Sequence, residues 1–398
     1  MIPNIRKVYN ESFTEIKYQQ MLAELEKDYP NSIEFRIAET PLFLDIETKH
    51  RFLKAGDDIC AFVTSKDFQT KTANAIHSVN TPPNESPLPE CIVMDFAISQ
   101  DNEQKIIPKL IELQGFPSLF AFEVIHDQAF RKHFDIPNGY ATYLNKYDSA
   151  SYLDHLEHII KGTENKHTVL LELFPHQQKT KIDFYYTQHF FDIPIVCVSE
   201  IYTIGNKLFY KRNNHTYPIE RIYNRVVWDE LPKQSVAIQE KAKLLLQDLA
   251  IEWVCHPNHF YRISKYLMPF LKCDSVPSTQ FLSALKAIPN DLENYVLKPL
   301  FSFAGQGVII DITPSQINEI KDPENWILQE KVVYAPIVQT PAGNAKAEVR
   351  LFYFLNKATG KYIATCNLAR ISKGKMIGVS YNNTATWVGG SIVYFETN

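Results

Sequence analysis

Three oxygen-bearing side chains lie close together on two segments that read as β-strands. Residues 91–98 form an apolar run that carries Asp95, and residues 109–114 carry Glu112 and Gln114 two positions apart. Alternate side chains of a strand share one face, so a hairpin of these segments would bring all three together. Carboxylate and amide oxygens suit a hard cation such as Mg²⁺. The solvent-facing side of an amphipathic hairpin has the same pattern, so the residues alone leave both interpretations open.

A lysine followed by a glycine-containing loop occupies residues 295–311. The segment reads as a strand carrying Lys298, a loop with Gly305 and Gly307, and a second strand from residue 308. Glycines let backbone N–H groups approach phosphate oxygens, and the lysine adds a positive charge nearby. The loop is not a Walker motif, because no Gly-Lys-Ser/Thr opens a helix. An ordinary hairpin with an exposed lysine fits this stretch equally well.

Two arginines are carried by segments near the end of the chain that also read as strands. Arg350 lies in residues 347–354 and Arg370 in residues 362–370. A planar guanidinium group binds phosphate or carboxylate bidentately, which suits stabilisation of developing negative charge. A structural salt bridge is the alternative for each arginine. Glu348 alternates onto the face of Arg350, so an ion pair across that face is also compatible with the pattern.

The composition indicates a globular protein and excludes several classes. The 398 residues are 45% hydrophobic and 22% charged, with a net charge of -4. This length predicts two or three packed units. The net charge argues against general affinity for nucleic acid or anionic membranes. No apolar run approaches the ~20 residues of a spanning helix, and the N-terminus lacks a signal-peptide core. We therefore expect a cytoplasmic protein.

The six cysteines show no Cys-x-x-Cys pair and lie mostly in apolar runs. They predict buried free thiols in a reducing compartment. The histidines show no metal-ligand spacing, and no clustered ligands indicate a zinc site. No Gly-x-Ser-x-Gly elbow supports a serine hydrolase.

The periodicity divides the chain into three regions, 1–148, 149–256 and 257–398. Residues 1 to about 40 are helix-prone, and short strand-like pieces are expected from residue 41. The middle region predicts a strand–helix–strand unit and hence a small parallel sheet. Its segments are a helix at 149–161, a strand at 168–174, a helix at 177–190 and a strand at 193–198, with 208–210, 219–227 and 251–254 extending the sheet and a helix at 239–249.

The order of these signals resembles the ATP-grasp superfamily of carboxylate ligases. The signals are a lysine before a helix (Lys265), Lys298-Pro299, the glycine loop, Gln329-Glu-Lys-Val332, the strands of Arg350 and Arg370, and an Asn…Gly-Gly ending. The Asp and Glu-x-Asn strands that usually come last stand here at the front, as Asp95 and Glu112-x-Gln114. This order resembles the circular permutation of eukaryotic-type glutathione synthetases and glutathionylspermidine synthases.

The resemblance implies an α/β (α+β) ATP-grasp fold, circularly permuted, with two α+β subdomains clasping ATP and a small parallel-sheet domain. Region 1–148 would carry the permuted metal-binding strands, 149–256 the substrate side and 257–398 the nucleotide-binding subdomains. Nucleotide contacts would come from Lys265, Lys298, Ser302, Ala304, Gly305, Gln306, Gly307 and the hinge residues Gln329, Glu330 and Val333. Mg²⁺ ligands would be Asp95, Glu112 and Gln114, and catalytic cations Arg350 and Arg370.

The implied function is an ATP-dependent carboxylate–amine ligase that forms an acyl phosphate and then an amide or peptide-like bond. Two departures keep other functions open: Gln114 replaces the usual Asn, and Ser302 stands where the glutathione enzymes carry a metal-binding Glu. The alternatives are a non-ligating ATP-binding regulatory protein and an ATP-grasp phosphotransferase. The expected partners are a small carboxylate and an amine whose identities the sequence does not indicate, and it does not indicate the oligomeric state.

Five further positions are weaker candidates. Glu172, His176 and Asp183 lie at the end of a strand and in the following helix, where α/β sheets bind ligands such as an acceptor substrate, although the pattern favours a helix cap and a solvated face. For Arg225, a position at the cleft and a position away from it are equally compatible with the sequence. Asn383 is compatible with metal or phosphate contact and with turn chemistry.

Overall fold

The computed structural model describes residues 2–76, 80–302, 305–374, 377 and 385–397, which form a mixed α+β fold with several sheets. Among the described residues, helices dominate the part of the chain before residue 91, helices and strands are mixed in the middle, and the part after residue 318 contains strands and no α-helix. In chain order the helices are α1 (Pro3–Ser12), α2 (Glu15–Leu25), α3 (Ile46–Val63), α4 (Asp67–Lys71), α5 (Phe122–His133), α6 (Ser149–Lys161), α7 (Lys181–Phe191), α8 (Val236–Leu244), α9 (Pro257–Arg262) and α10 (Pro314–Asn318).

The strands are short except for four that form the centre of the molecule. In chain order they are β1 (Leu42–Leu44), β2 (Cys91–Gln100), β3 (Ile106–Gln114), β4 (Tyr140–Ala141), β5 (Thr168–Glu172), β6 (Ile195–Cys197), β7 (Ile201–Ile204), β8 (Lys207–Arg212), β9 (His215–Ile219), β10 (Arg221–Asn224), β11 (Glu252–Val254), β12 (Thr279–Phe281), β13 (Tyr295–Pro299), β14 (Trp326–Glu330), β15 (Lys346–Asn356), β16 (Lys361–Ser372), β17 (Gly389–Ser391) and β18 (Val393–Glu396).

The central sheet has the order β17-β16-β15-β2-β3 and is antiparallel throughout. It therefore joins strands from the first third of the chain to strands from the last. One face is apolar, because alternate residues such as Met94, Phe96 and Leu351 point into the main hydrophobic core. The other face carries the charged residues of β2, β3, β15 and β16, so the sheet is the scaffold of the candidate site.

The predicted strand–helix–strand unit is confirmed. Strands β5, β6, β10 and β11 form a parallel sheet in the order β11-β10-β5-β6, and α7 connects β5 to β6. One part of the prediction is wrong: residues 208–210 lie in β8, which belongs to a separate antiparallel β7-β8-β9 sheet. The turn at Asn213 and Asn214, both with positive φ, closes the β8–β9 hairpin and directs it away from the parallel sheet.

The segment with the glycine loop forms a smaller sheet than expected. Strand β14 lies between β12 and β13, and β13 carries Lys298. The expected second strand from residue 308 is reduced to one bridge, in which Ile309 pairs with Leu297. The glycines sit in a turn, with φ of +73° at Gly305 and +72° at Gly307. A Cβ at Gly307 would lie 2.9 Å from Pro299 Cγ, so the close return of the chain requires glycine there.

The helix-prone N-terminus is confirmed as α1 and α2, but the expectation of strand-like pieces from residue 41 is wrong. Of the described residues between 41 and 90, only Leu42–Leu44 form a strand, and α3 follows it for 18 residues. Its start is fixed by Asp45, whose side chain accepts a hydrogen bond from the Thr48 backbone N–H. Seven buried residues along α3 cover the apolar face of the central sheet, a periodicity that short-range β propensity obscures.

Two further findings bear on the broad class. Within the described residues, no helix has both the length and the apolar character that crossing a membrane requires. All six cysteines are free thiols, as predicted, and all but Cys273 are buried. The three proposed domain boundaries stay a prediction, since strands from the first and last regions share one sheet.

Candidate functional site

The β2–β3 hairpin brings the predicted metal-binding residues together. Asp95 lies opposite Glu112, and Val93 lies opposite Gln114. A β-bulge leaves Ile111 without a partner, because the register passes from Asp95–Glu112 to Phe96–Leu110. The bulge turns Glu112 onto the polar face of the sheet, while Leu110 stays in the core. The bulge therefore allows Leu110 to enter the core although Glu112, two positions away on the same strand, lies on the polar face.

Asp95 is fully committed to the two predicted catalytic arginines. Its side chain is 1% exposed, and Arg350 binds it bidentately, with Nε 2.5 Å from Oδ1 and Nη2 2.6 Å from Oδ2. Arg370 donates a further hydrogen bond from Nη2 to Oδ2. Burial alone would raise the pKa of Asp95, but the two guanidinium groups outweigh it and hold this pKa well below its ordinary value. Asp95 is thus ionised and serves as the anchor of both arginines.

The neighbouring carboxylates complete this cluster. Arg370 Nη2 lies 2.8 Å from Glu348 Oε2 and 3.9 Å from Glu112 Oε1, and Arg350 Nη2 lies 3.7 Å from Glu112 Oε1. The Tyr334 hydroxyl donates to Glu348. Burial raises the pKa of Glu348, against the attraction of Arg370. Asp95 raises the pKa of Arg370, which burial alone would lower. The ion pair predicted from the spacing of Glu348 and Arg350 is formed instead between Glu348 and Arg370.

Both predicted phosphate-binding lysines lie beside this cluster and are buried. Lys298 Nζ donates to the Gln329 side-chain oxygen at 2.7 Å and to the carbonyl of the bulged Ile111 at 3.0 Å. Burial, reinforced by Lys265, lowers the pKa of Lys298 to about 8. Lys265 begins a 3₁₀ turn, and its Nζ donates to the carbonyl of Ser302. Burial also lowers the pKa of Lys265, against the attraction of Glu112.

The three predicted hinge residues differ in how far the protein engages them. Gln329 is 1% exposed, and its amide nitrogen donates to Thr279 Oγ1 at 3.0 Å. The backbone N–H of Glu330 donates to the carbonyl of Ser278 at 2.8 Å. The side chain of Glu330 is exposed, and Val333 is 79% exposed. The structure therefore gives Gln329 an additional role, which is to orient Lys298.

The predicted loop residues lie at the same edge of β13. Ser302 accepts from Lys265 through its carbonyl, while Gly305, Gln306 and Gly307 form the turn that follows. Gln306 is exposed. Ala304 lies outside the described residues, as does Asn383. A small cavity lies between this edge and β3, and it is lined by Glu112, Gln114, Ser264, Lys265 and Ser302 among others.

The weaker candidates are grouped elsewhere. Asp183 accepts hydrogen bonds from the backbone N–H groups of Ala121 and Phe122 at the start of α5, the capping role considered above. Arg225 Nη1 lies 3.7 Å from Asp183 Oδ2. Burial raises the pKa of Glu172 to about 8 and that of Asp183 to about 6. His176 is exposed and contacts the Tyr185 hydroxyl.

A larger cavity, which no sequence pattern predicted, borders the two arginines. Its volume is about 670 Å³, within the range of small-molecule sites. Arg350 and Arg370 lie at its wall on the central sheet. Most of the remaining wall is apolar and comes from distant segments, including Leu22, Ile33, Phe35, Leu119, Phe122 and Leu368. Such a site cannot be read from sequence, because no single segment contributes more than a few of its residues.

Sequence reasoning also missed three residues that hold the site in place. Ser118 accepts from Arg350 Nη1 at 3.1 Å through its hydroxyl and from Arg225 at 2.8 Å through its carbonyl. The Tyr334 hydroxyl donates to Glu348, and the carbonyl of the bulged Ile111 accepts from Lys298. The alternation of Glu348 and Arg350 indicated a charged face, but it specified neither Ser118 nor Tyr334 as a partner.

The oxygen donors fit Mg²⁺ in part. Glu112 is 21% exposed on its side chain, and it borders the small cavity together with Gln114. Mg²⁺ commonly takes one or two protein carboxylates together with phosphate and water, so these two residues suit a metal–nucleotide complex. Both oxygens of Asp95 already accept from guanidinium groups. In the described part of the chain, no three His, Cys, Asp or Glu side chains are arranged around a metal position. The assignment of Asp95 to the metal stays a prediction.

Comparison with known proteins adds one finding about the fold. No protein-family model matches the chain, and no curated protein sequence is significantly similar to it. Among solved structures, the glutathione synthetase-like effector GSS30 from Globodera pallida, in its apo form, is similar over 97% of this chain and 98% of its own. The TM-score is 0.57 at 9% sequence identity. The two chains therefore share an overall fold, and at this identity the similarity extends to the fold alone.

Proposed function

We propose that the protein is an ATP-dependent carboxylate–amine ligase of the ATP-grasp type, with circularly permuted metal-binding strands. One observation carries the proposal: carboxylates from residues 95 and 112 lie beside cationic groups from residues 265, 298, 350 and 370. These residues come from both ends of the chain, in the cyclic order that the resemblance implies. The fold shared with a glutathione synthetase-like effector supports the same class.

In this proposal, Lys265 and Lys298 bind the phosphates of ATP next to the glycine turn. Within the described part of the chain, both lysines donate to neutral oxygens, namely those of Ser302, Ile111 and Gln329. Their charge is therefore available to phosphate. Glu112 and Gln114 would hold Mg²⁺, which neutralises phosphate charge when bound. The adenine would lie against the hinge that contains Gln329 and Glu330.

The reaction would proceed in two displacements. A carboxylate oxygen of the substrate attacks the γ-phosphorus, the bond to the β-phosphate breaks, and ADP leaves with its electron pair. The amine then attacks the acyl carbon, a C–N bond forms, and inorganic phosphate leaves while the amine nitrogen loses a proton. Arg350 and Arg370 would stabilise the negative charge that develops in both steps, since Asp95 fixes their positions beforehand.

A second candidate is a nucleotide-binding protein of the same fold that does not ligate. The commitment of Asp95 to two arginines favours it, because one of the three predicted metal ligands is then occupied. The absence of the loop Glu that the glutathione enzymes carry, where this chain has Ser302, points the same way.

One assay separates the candidates. The protein is incubated with MgATP and pooled carboxylic acids and amines, and ADP and phosphate are both measured. Substrate-dependent release of ADP and phosphate in equal amounts supports the ligase, whereas ADP without free phosphate indicates a phosphotransferase. Binding without turnover indicates the non-ligating protein. Lys298→Ala should abolish turnover, whereas Lys286→Ala, at an exposed lysine, should not. Unchanged kinetics in Lys298→Ala would contradict the site assignment.

A further inference from the structure

The larger cavity beside the arginines has a wall of mixed character. The α2 side contributes Leu22, the following loop contributes Ile33 and Phe35, and Leu119 and Phe122 lie at the start of α5. Phe35 packs edge-to-face on Phe122, with ring centroids 5.7 Å apart. A polar ligand such as a γ-glutamyl peptide would leave most of its hydrogen-bonding groups unpaired against these side chains. The wall therefore selects for an apolar ligand body.

At the cationic end of the cavity, the hydrogen-bonding capacity of Arg370 is only partly used. Arg370 uses its Nη2 group for Asp95 and Glu348. Its Nε is buried and has no hydrogen-bond partner among the residues that the structure describes. An unpaired buried N–H on a cation is costly, and a ligand that accepts from it removes the cost. The planar guanidinium favours a carboxylate as that acceptor.

The opposite wall does not suit an anion. Glu123 and His126 border the cavity on α5, with His126 Nδ1 3.1 Å from Glu123 Oε2. Both side chains are almost completely buried. A carboxylate placed next to Glu123 would face a group of its own kind. Two other cations line the cavity, but Lys179 is exposed, where an ion pair is weak, and Arg36 pairs with Glu39, so Arg370 is the position for an anionic head.

We propose that this cavity binds a monocarboxylic acid with an extended aliphatic or aromatic body, the carboxylate at Arg370 and the body along the wall that includes Leu22 and Phe35. The further statement that this acid is the substrate to be activated rests on the proposed ligase function. Arg370 lies 3.9 Å from Glu112, so the head group would reach the edge of the predicted nucleotide site. The specificity would thus be set by apolar burial and by one charge pairing.

Direct binding tests the assignment without ATP. The full-length protein is titrated by calorimetry with acetate, butanoate, hexanoate and octanoate, and with octanamide. We expect one site, an affinity that rises about fourfold for each buried methylene, and binding of octanamide weaker by about tenfold or more than that of octanoate. An affinity that is independent of chain length, or equal for octanamide and octanoate, would overturn the assignment.

A matched pair of variants on one helix locates the site. Leu22→Glu places a charge in the apolar wall and should weaken octanoate binding by about tenfold or more. Ile16→Glu, on the same helix but 72% exposed, should bind octanoate as the native protein does. Octanoate binding that persists unchanged in Leu22→Glu would show that the acid binds elsewhere and would overturn the proposal.

The turnover assay then distinguishes this inference from the proposed function. If octanoate binds in the expected pattern but no acid in the pool, octanoate included, stimulates ADP formation with any amine, the ligase proposal fails and the cavity assignment stands. If only polar acids support ATP turnover and octanoate does not bind, the ligase proposal stands and the cavity assignment is overturned.

Discussion

Asp95 determines the arrangement of charge in the candidate site. A single buried carboxylate orients two guanidinium groups, and neither arginine has another partner as close. Burying a carboxylate costs free energy unless it is paired with cations, so the position of Asp95 and the positions of its two arginine partners depend on each other. This explains why the residue that the sequence assigns to a metal serves in the structure to position cations.

Replacing Asp95 with asparagine should therefore destabilise the protein strongly. Removing one partner of a buried ion pair leaves uncompensated charge, and the expected loss in the free energy of unfolding is about 3–5 kcal/mol. Urea denaturation measures it, with Asp58→Asn as the control, because Asp58 pairs with Lys54 on the surface. Equal stability of the two variants would contradict the anchoring role.

The same carboxylate makes a prediction about acid stability. The folded-state pKa of Asp95 lies below its usual value of 3.8. The unfolded state consequently binds more protons in that range, and the stabilisation is present above about pH 4 and is lost as the pH falls. Asp95→Asn should flatten the stability profile between about pH 4 and pH 2. A variant that keeps the native slope would show that other groups cause it.

Lys298 predicts a pH dependence on the alkaline side. Burial lowers its pKa to about 8, so its charged fraction falls as the pH rises through that value. Because only the charged form attracts phosphate, the affinity for MgATP should fall above about pH 8, approaching tenfold per pH unit. Calorimetry between pH 7 and 9.5 measures this. Lys298→Arg retains its charge and should show a flat profile. A decline of equal slope in both proteins would exclude Lys298 as its source.

At the level of elements, the sequence predicted the charged strands well and their mutual register poorly. The strands of Asp95, Glu112, Arg350 and Arg370 were all expected, since each is a short run with strand periodicity. The bulge at Ile111 was not, because a single unpaired residue leaves no trace in the alternation. Helix α3 was missed for a related reason: its polar N-terminal turns resemble the loops around it, and only tertiary contact with the sheet reveals its buried face.

Gly389 shows how one close contact fixes the edge of the cavity. Its φ is +129°, and a Cβ there would lie 2.4 Å from the carbonyl oxygen of Arg36. The adjacent Gly390 donates to this carbonyl, and Ala38 donates to the carbonyl of Gly390, both at 2.8 Å. The loop that carries Phe35 is therefore held to β17 by direct contact between the two backbones, and this contact requires glycine at position 389.

Gly389→Ala should detach this loop and destabilise the protein by roughly 2–4 kcal/mol. The matched control is Gly205→Ala, where φ is +61° and no atom lies within 4 Å of the added Cβ, so only the backbone term of about 1 kcal/mol remains. Urea denaturation gives the stabilities, and hydrogen exchange at Ala38 and Gly390 reports the detachment. Native protection at both amides in Gly389→Ala would refute the contact.

On the scale of the whole molecule, strands from the first and last parts of the chain pair in one sheet. Strand β18 lies between β1 and β4 and pairs in parallel with β1. Its residues divide between two cores, since Val393 and Phe395 face the main core while Tyr394 packs with the N-terminal helices. The Tyr394 hydroxyl also donates to Asp127 on α5 at 2.8 Å. The site, with acids from the front and cations from the back, therefore exists only when both ends are folded together.

Truncation of the chain after Ile392 tests this interdependence. It removes three side chains that are at most 1% exposed, each worth about 1.5–3 kcal/mol of burial, which together approach the stability of a typical domain. We expect loss of near-ultraviolet circular dichroism and of cooperative unfolding in urea. Truncation after Glu396 retains all of β18 and should leave both signals in place. If the shorter chain instead unfolds cooperatively with native spectra, the N-terminal elements fold without β18, and the joint construction of the site from both ends is wrong.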